Sequence, residues 1–165
     1  MSPDKHMTAK KFSILNSQFS TQKGFTPIEL LVVIGILAVL LAITLIAINP
    51  AAQFAKANNT KRRSDVNAIL NAVNQYQADN KGLLPTGIAT TIRTVANTGA
   101  DLCTILVPKY IAALPVDPQT NNGTPITDCS AAYTTNYQII QSTSDSRITV
   151  TAPGAELTET ISVTR

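Results

Sequence analysis

The longest apolar stretch of this chain runs from Leu30 to Ile48, nineteen residues without a charge, interrupted only by Gly35 and Thr44. Wound as an α-helix at about 1.5 Å per residue, it is about 28 Å long, close to the hydrocarbon thickness of a bilayer. One carboxylate, Glu29, stands at its front edge, with Lys23-Gly24 just before it. Ionisable groups at a membrane segment are costly and point to function. Beyond the run, Asn49-Pro50 interrupts the pattern, because proline has no N–H for the carbonyl four residues back. Pro50 either ends the helix or kinks one that continues; the helical period beyond it favours the kink. Val66, Ile69, Leu70, Val73 and Tyr76 recur at spacings of three and four, with Asp65, Asn67, Asn71, Asn74 and Gln75 between them. That predicts an amphipathic helix with its apolar face against a sheet. Asn80-Lys81-Gly82, with Pro85 just past it, predicts the stop.

Farther along, residues 84–99 are rich in Thr, Gly and Ala and read as a loop. Apolar stretches at 102–107 and 110–114 flank Pro108-Lys109. They lead into Leu114-Pro115-Val116-Asp117-Pro118 and the turn cluster Asn121-Asn122-Gly123. Residues 133–141, 147–151 and 157–163 carry Tyr, Ile, Val and Thr in partial alternation, with turn residues at Asp145-Ser146 and Pro153-Gly154. They predict a three-stranded antiparallel meander laid against the amphipathic helix. The class is α+β, a long N-terminal helix on a small C-terminal sheet.

The chain has 165 residues, enough for one domain, and a formal net charge of +3. The first 24 residues hold four lysines (Lys5, Lys10, Lys11, Lys23) against Asp4, and the remainder is neutral with nine basic and nine acidic side chains. The basicity therefore belongs to the N-terminal segment, where it suits an anionic cytoplasmic membrane face, and predicts no specific nucleic-acid partner. Residues 1–22 are polar without periodicity and read as disordered. Catalytic signatures are missing: no Gly-x-Ser-x-Gly, no phosphate loop, and no histidine besides His6. Asp117, Asp128 and Asp145 have no EF-hand spacing and read first as surface-turn residues, with calcium the lesser alternative. Asn58-Asn59-Thr60 and Asn122-Gly123-Thr124 are short glycosylation patterns. Lys61-Arg62-Arg63 reads as a solvated helix face, with DNA or lipid head groups the alternative.

The string Gly24-Phe25-x-x-x-Glu29 after a basic leader and before an apolar helix resembles the prepilin signal of the type IV pilin and type II secretion pseudopilin superfamily. Pro27 stands where a leucine is common, harmlessly, since a first-turn proline loses no hydrogen bond. The resemblance is close over residues 23–48, looser to about residue 85, and fragmentary beyond. It implies that residues 1–24 are a leader cut off after Gly24 by a prepilin peptidase, which then N-methylates Phe25. Residues 25–49 would be the transmembrane and assembly helix, 50–82 its amphipathic half, and 83–165 a globular head. Glu29 has two readings: a carboxylate held by the helix dipole, or, as in the family, the partner of the ammonium at the new terminus of a neighbouring subunit. The second is preferred, because an unpaired charge in low dielectric penalises wrong stagger.

By the same implication the partners are copies of itself in a filament, the peptidase, an inner-membrane assembly platform and an assembly ATPase. The precursor would sit in the cytoplasmic membrane with its C-terminal part outside; lysines and arginines flank the run evenly and do not decide this. In an exported head, the two cysteines, Cys103 and Cys129, read as one disulfide, with two buried thiols the alternative. No cofactor and no metal site are assigned. The function expected is a structural subunit of a surface filament. Its rivals are a subunit of a periplasmic pseudopilus and, from another class, a monomeric membrane-anchored binding domain.

Overall fold

A computed structural model describes residues 24–165. The expectations for the leader, with its lysines, Asp4 and His6, lie outside the described residues. The chain divides into two compact units at Thr44/Leu45. In the first, helix α1 (Pro27–Ile48) begins, and none of its residues is buried. Thr44, its one interior hydroxyl, donates to the Leu41 carbonyl at 2.9 Å, which satisfies it without a partner outside the helix.

The second unit opens with the end of α1 and a correction. Asn49 adopts a left-handed conformation (φ 45°, ψ 77°), its side chain accepts from the Ala52 N–H, and Pro50 occupies the first turn of a new helix, α2 (Pro50–Asp79). Asn49-Pro50 therefore ends one helix and caps the next; it does not kink a continuous one. A left-handed residue cannot carry the α ladder, and proline at a first helical position gives up no bond. The far end is as predicted. Asn80 closes α2, and Gly82 (φ 84°) turns back to donate from its N–H to the Gln77 carbonyl at 2.8 Å.

The sheet holds four antiparallel strands in the order β1 (Arg93–Ala96), β2 (Thr134–Gln141), β3 (Ile148–Ala152) and β4 (Ile161–Thr164). The expected meander is β2-β3-β4. The added strand, β1, lies within the segment read as a loop. It has only four residues, and its pairing with β2 shifts register between Thr94 and Ala96, so no sustained alternation marks it. β4 is shorter than expected: Leu157 and Thr158 both have φ near 58°, outside the extended region. The helix between loop and turn cluster, α3, covers only Cys103–Leu106, while Leu114 forms an isolated bridge with Ile126. It thus ends well before the Leu-Pro-x-Asp-Pro segment.

The predicted apolar stripe forms the core. Val66, Ile69, Leu70 and Val73 are fully buried against Tyr137, Ile139, Ile148, Val150 and Ile161 of the sheet, with Leu102, Leu106 and Leu114 filling in from the loops. Cys103 and Cys129 form a disulfide with Cα atoms 5.4 Å apart, spanning 26 residues. On the chain-entropy model such a closure stabilises by roughly 3.5 kcal/mol. Leu70→Ala should therefore lower stability by about 2–5 kcal/mol through lost transfer energy and a residual cavity. Denaturant unfolding checks this, and a loss under 1 kcal/mol would mean that α2 is not seated on the sheet as described.

Candidate processing and assembly site

Gly24, Phe25 and Thr26 precede α1 without helical structure, and Phe25 is 84% exposed. The helix starts where Thr26 and Glu29 cap each other. The Thr26 hydroxyl accepts from the Glu29 N–H at 3.3 Å, while Glu29 Oε2 accepts from the Thr26 N–H at 3.0 Å and from its hydroxyl at 2.9 Å. This is a capping box, two otherwise unpaired donors satisfied reciprocally. Thr-x-x-Glu ahead of an apolar run is the local sequence signature of this box. The structure thus gives Glu29 a definite local duty and fixes its carboxylate on the N–H of the peptide that joins Phe25 to Thr26. A Cβ added at Gly24 would meet nothing within 4 Å. The fold itself has no need of glycine there.

Along the rest of α1 the chemistry is uniform. Its large side chains, from Ile28 and Leu30 to Ile48, are all at least half exposed. Gly35 leaves a shallow notch between Leu31, Val32, Ile36 and Val39. Such a surface is not stable in water and requires cover, from lipid or from other helices.

The remaining candidate residues lie in the C-terminal unit, and two readings are corrected there. Lys61 and Arg63 are exposed, as a solvated face requires, but Arg62 between them departs from it. Arg62 is fully buried: Nε donates to Asp117 Oδ2 at 2.7 Å, Nη2 to Asp117 Oδ1 at 3.1 Å, and Nη1 to Glu156 Oε2 at 2.7 Å and Asn59 Oδ1 at 3.0 Å. Lys61 donates to the Gly123 carbonyl at 3.2 Å, and Arg63 pairs with Glu159. Asp117, in turn, is no surface-turn residue but the buried half of a bidentate pair. Asp65, placed on the polar face, is also buried and accepts from the Tyr137 hydroxyl at 2.7 Å. Helical spacing carried the signal for both: Arg62 lies four residues before Val66, and Asp65 four before Ile69, on the same stripe.

The electrostatics follow. Hydrogen bonding to Asp117 holds the Arg62 guanidinium more firmly protonated than usual, against the cost of burial. Burial pushes the Asp117 carboxyl up, but hydrogen bonds from Arg62 and the Gln119 N–H more than offset this, and it ends below its ordinary range. Glu156 is lowered chiefly by its hydrogen bond from Arg62, whereas burial raises Asp65. Asp128 accepts from Ser130 and Asp145 from Arg147. The three aspartates are not brought together, and no cluster of three metal-ligating side chains occurs among the described residues. Of the two sequons, Asn58 donates to Glu156 at 3.0 Å, and Asn122 lies in the exposed single 3-10 turn, residues Asn121–Gly123.

Residues 19–45 match the family model described as the prokaryotic N-terminal methylation motif, which is the prepilin-type signal of type IV pilins and pseudopilins. No curated protein and no solved structure matches the chain. The motif fits a membrane-anchored precursor that a prepilin peptidase processes, and it points to a structural subunit of the pilin or pseudopilin kind.

Removing the guanidinium tests the buried cluster. Arg62→Met should cost about 3–5 kcal/mol at neutral pH, because Asp117 is left buried and unpaired. Asp117 and Glu156 have folded pKa values below their unfolded ones. Their contribution is complete above the ordinary carboxylate range and is lost as pH falls through the depressed values. The stability gap between wild type and Arg62→Met, measured by urea unfolding, should thus narrow on acidification; a gap independent of pH would contradict the pairing.

Proposed function

We propose that this protein is the structural subunit of a type IV pilus-like surface filament, matured by cleavage after Gly24 and N-methylation of Phe25 and polymerised through α1. One observation carries the reading: a helix with no buried residue whose only charge is one carboxylate in the first turn, inside a matched methylation motif. Uncovered apolar surface explains why the chain begins in a membrane. The carboxylate explains why it need not stay there as a monomer. Cleavage between Gly24 and Phe25 creates an ammonium four residues before Glu29, on a helix otherwise devoid of charge. Only Oε2 of Glu29 is engaged by Thr26, so Oε1 is open to the ammonium of a neighbouring copy. A subunit added with the wrong stagger would leave two charges unpaired among apolar helices, a cost of several kcal/mol per ion.

Maturation requires the peptidase, and lifting the helix out of lipid requires an assembly platform with an ATPase, since the chain has no phosphate loop of its own. The cysteine bridge suits an oxidising compartment outside the cytoplasmic membrane.

The mature N-terminus should be N-methyl-phenylalanine at position 25 by mass spectrometry of the purified protein. Gly24→Leu should block the cut without destabilising the chain, seen as an unshifted band on a gel. An intact leader on wild-type protein, or cleavage after the apolar run, would overturn the reading in favour of a solitary anchored domain. Glu29→Ala should still be processed but should form at least tenfold fewer fibres, counted in electron micrographs. Normal fibre yield from that variant would remove the pairing role. Fibres that remain short and periplasmic would assign the chain to a pseudopilus.

A further inference from the structure

The two edges of the sheet are finished differently. At β1, residues 97–100 fold back over the strand: the Ala96 N–H donates to the Ala100 carbonyl at 3.3 Å and the Ala100 N–H to the Thr94 carbonyl at 2.8 Å. A register shift between Thr94 and Ala96 adds to this seal. β4 has none of these protections. Its pairing with β3 runs in unbroken register, and it contains no proline, lysine or bulge, the devices that usually blunt an edge.

The direction of its backbone groups follows from one pair. Ile148 and Arg165 exchange two backbone hydrogen bonds, at 2.7 and 3.0 Å. In an antiparallel ladder bonded and non-bonded pairs alternate. Val163 and Ile161 therefore also bond to β3, whereas Ser162 and Thr164 turn their N–H and C=O groups outward. Thr160, Ser162 and Thr164 are all exposed.

The sequence of this edge is its own antiparallel complement. Residues 159–165 read Glu-Thr-Ile-Ser-Val-Thr-Arg. Laid against itself in reverse, with Ser162 on the axis, threonine meets threonine, isoleucine meets valine, and Glu159 meets Arg165 at both ends. Isoleucine and valine lie on the core-facing side of the sheet and the hydroxyls on the other, so every cross-strand pair matches in chemistry. Arg63 and Asn71 of α2 already hold Glu159 and Arg165 beside the edge.

We infer that residues 159–165 are a docking edge for the same segment of a second copy, joining two sheets through an antiparallel two-fold pair. The pairing supplies about six backbone hydrogen bonds, two for each bonded pair. So short an edge does not hold dilute molecules together, but copies confined to a membrane or a fibre surface meet at high effective concentration.

Cysteine cross-linking in host membranes tests the register. The chain has no free cysteine. Ser162→Cys lies on the axis, where Cα atoms about 5.5 Å apart fall within disulfide reach. Under mild oxidation it should give at least tenfold more linked dimer than Thr164→Cys, whose two copies stand about 13 Å apart in this register. Co-expressed Thr160→Cys and Thr164→Cys chains should link to each other. Thr164→Pro removes an outward N–H that β3 does not use, at the cost of one exposed hydroxyl pair with Thr149, so in the Ser162→Cys background it should lower linkage several-fold, whereas Thr164→Val, which loses the same hydroxyl and keeps the N–H, should not. Equal linkage of Ser162→Cys and Thr164→Cys, or none from either, would overturn the inference. Because the readout is taken on membrane-held copies, a failure to find fibres would count against the filament reading and not against this one.

Discussion

One guanidinium organises the C-terminal unit. Arg62 reaches from α2 to Asp117 in the Leu-Pro-x-Asp-Pro segment and to Glu156 in the loop between β3 and β4, so three stretches distant in sequence meet on one planar group. A buried arginine carries a desolvation penalty of several kcal/mol, which only near-complete pairing repays. Here the pairing is bidentate to Asp117, with Asn59 and Glu156 taking the third nitrogen. Asn59 adds a second tie, accepting from the Glu156 N–H at 2.9 Å and donating to its carbonyl at 2.8 Å. The consequence is positional. The β3–β4 loop is held against α2 through Glu156, and two residues in the left-handed region, Leu157 and Thr158, are tolerated just beyond the tie. Conformations of that kind persist where the surroundings over-determine them.

The disulfide does a different job. It closes the chain between α3 and the segment after the 3-10 turn, remote in sequence from the β3–β4 loop. The unit therefore has a covalent clamp on one loop region and an ionic one on another, around an apolar stripe of four residues on α2. That division suits a domain too small to rely on its core alone. It also makes the ionic part the one that responds to pH.

Much of this was legible. Spacings of three and four placed α2's buried face at Val66, Ile69, Leu70 and Val73, the Asn-Lys-Gly stop ended the helix, and three of the four strands carried Tyr, Ile, Val and Thr alternation. The misreadings share a cause. Arg62, Asp65 and Asp117 were assigned to the surface by residue type, since charged side chains are seldom fully buried unless paired. Their partners are 55, 72 and 94 residues away, and no local pattern announces such a meeting. β1 escaped because a four-residue strand gains its identity from β2, not from its own alternation. At Asn49, local propensity for a left-handed turn outweighed the helical period on both sides. Thr26 is the opposite case: its Thr-x-x-Glu signal is entirely local, and a carboxylate at this place serves the cap and a charge partner alike.

The capping box and the assembly role proposed for Glu29 are compatible because they use different oxygens. A carboxylate free to rotate would lose conformational entropy each time a neighbour's ammonium arrived. One oxygen anchored on Thr26 removes much of that loss in advance and keeps the charge at the helix start, where the dipole also favours it. The helix behind it needs no further polar contact. Moving apolar side chains from lipid to a helix bundle gains little, because lipid tails are as apolar as leucine, whereas exposure to water would cost about 25 cal/mol per Å². Apolar burial can therefore retain a subunit in a bundle but cannot tell one stagger from another. A single fixed charge can, and α1 carries no other.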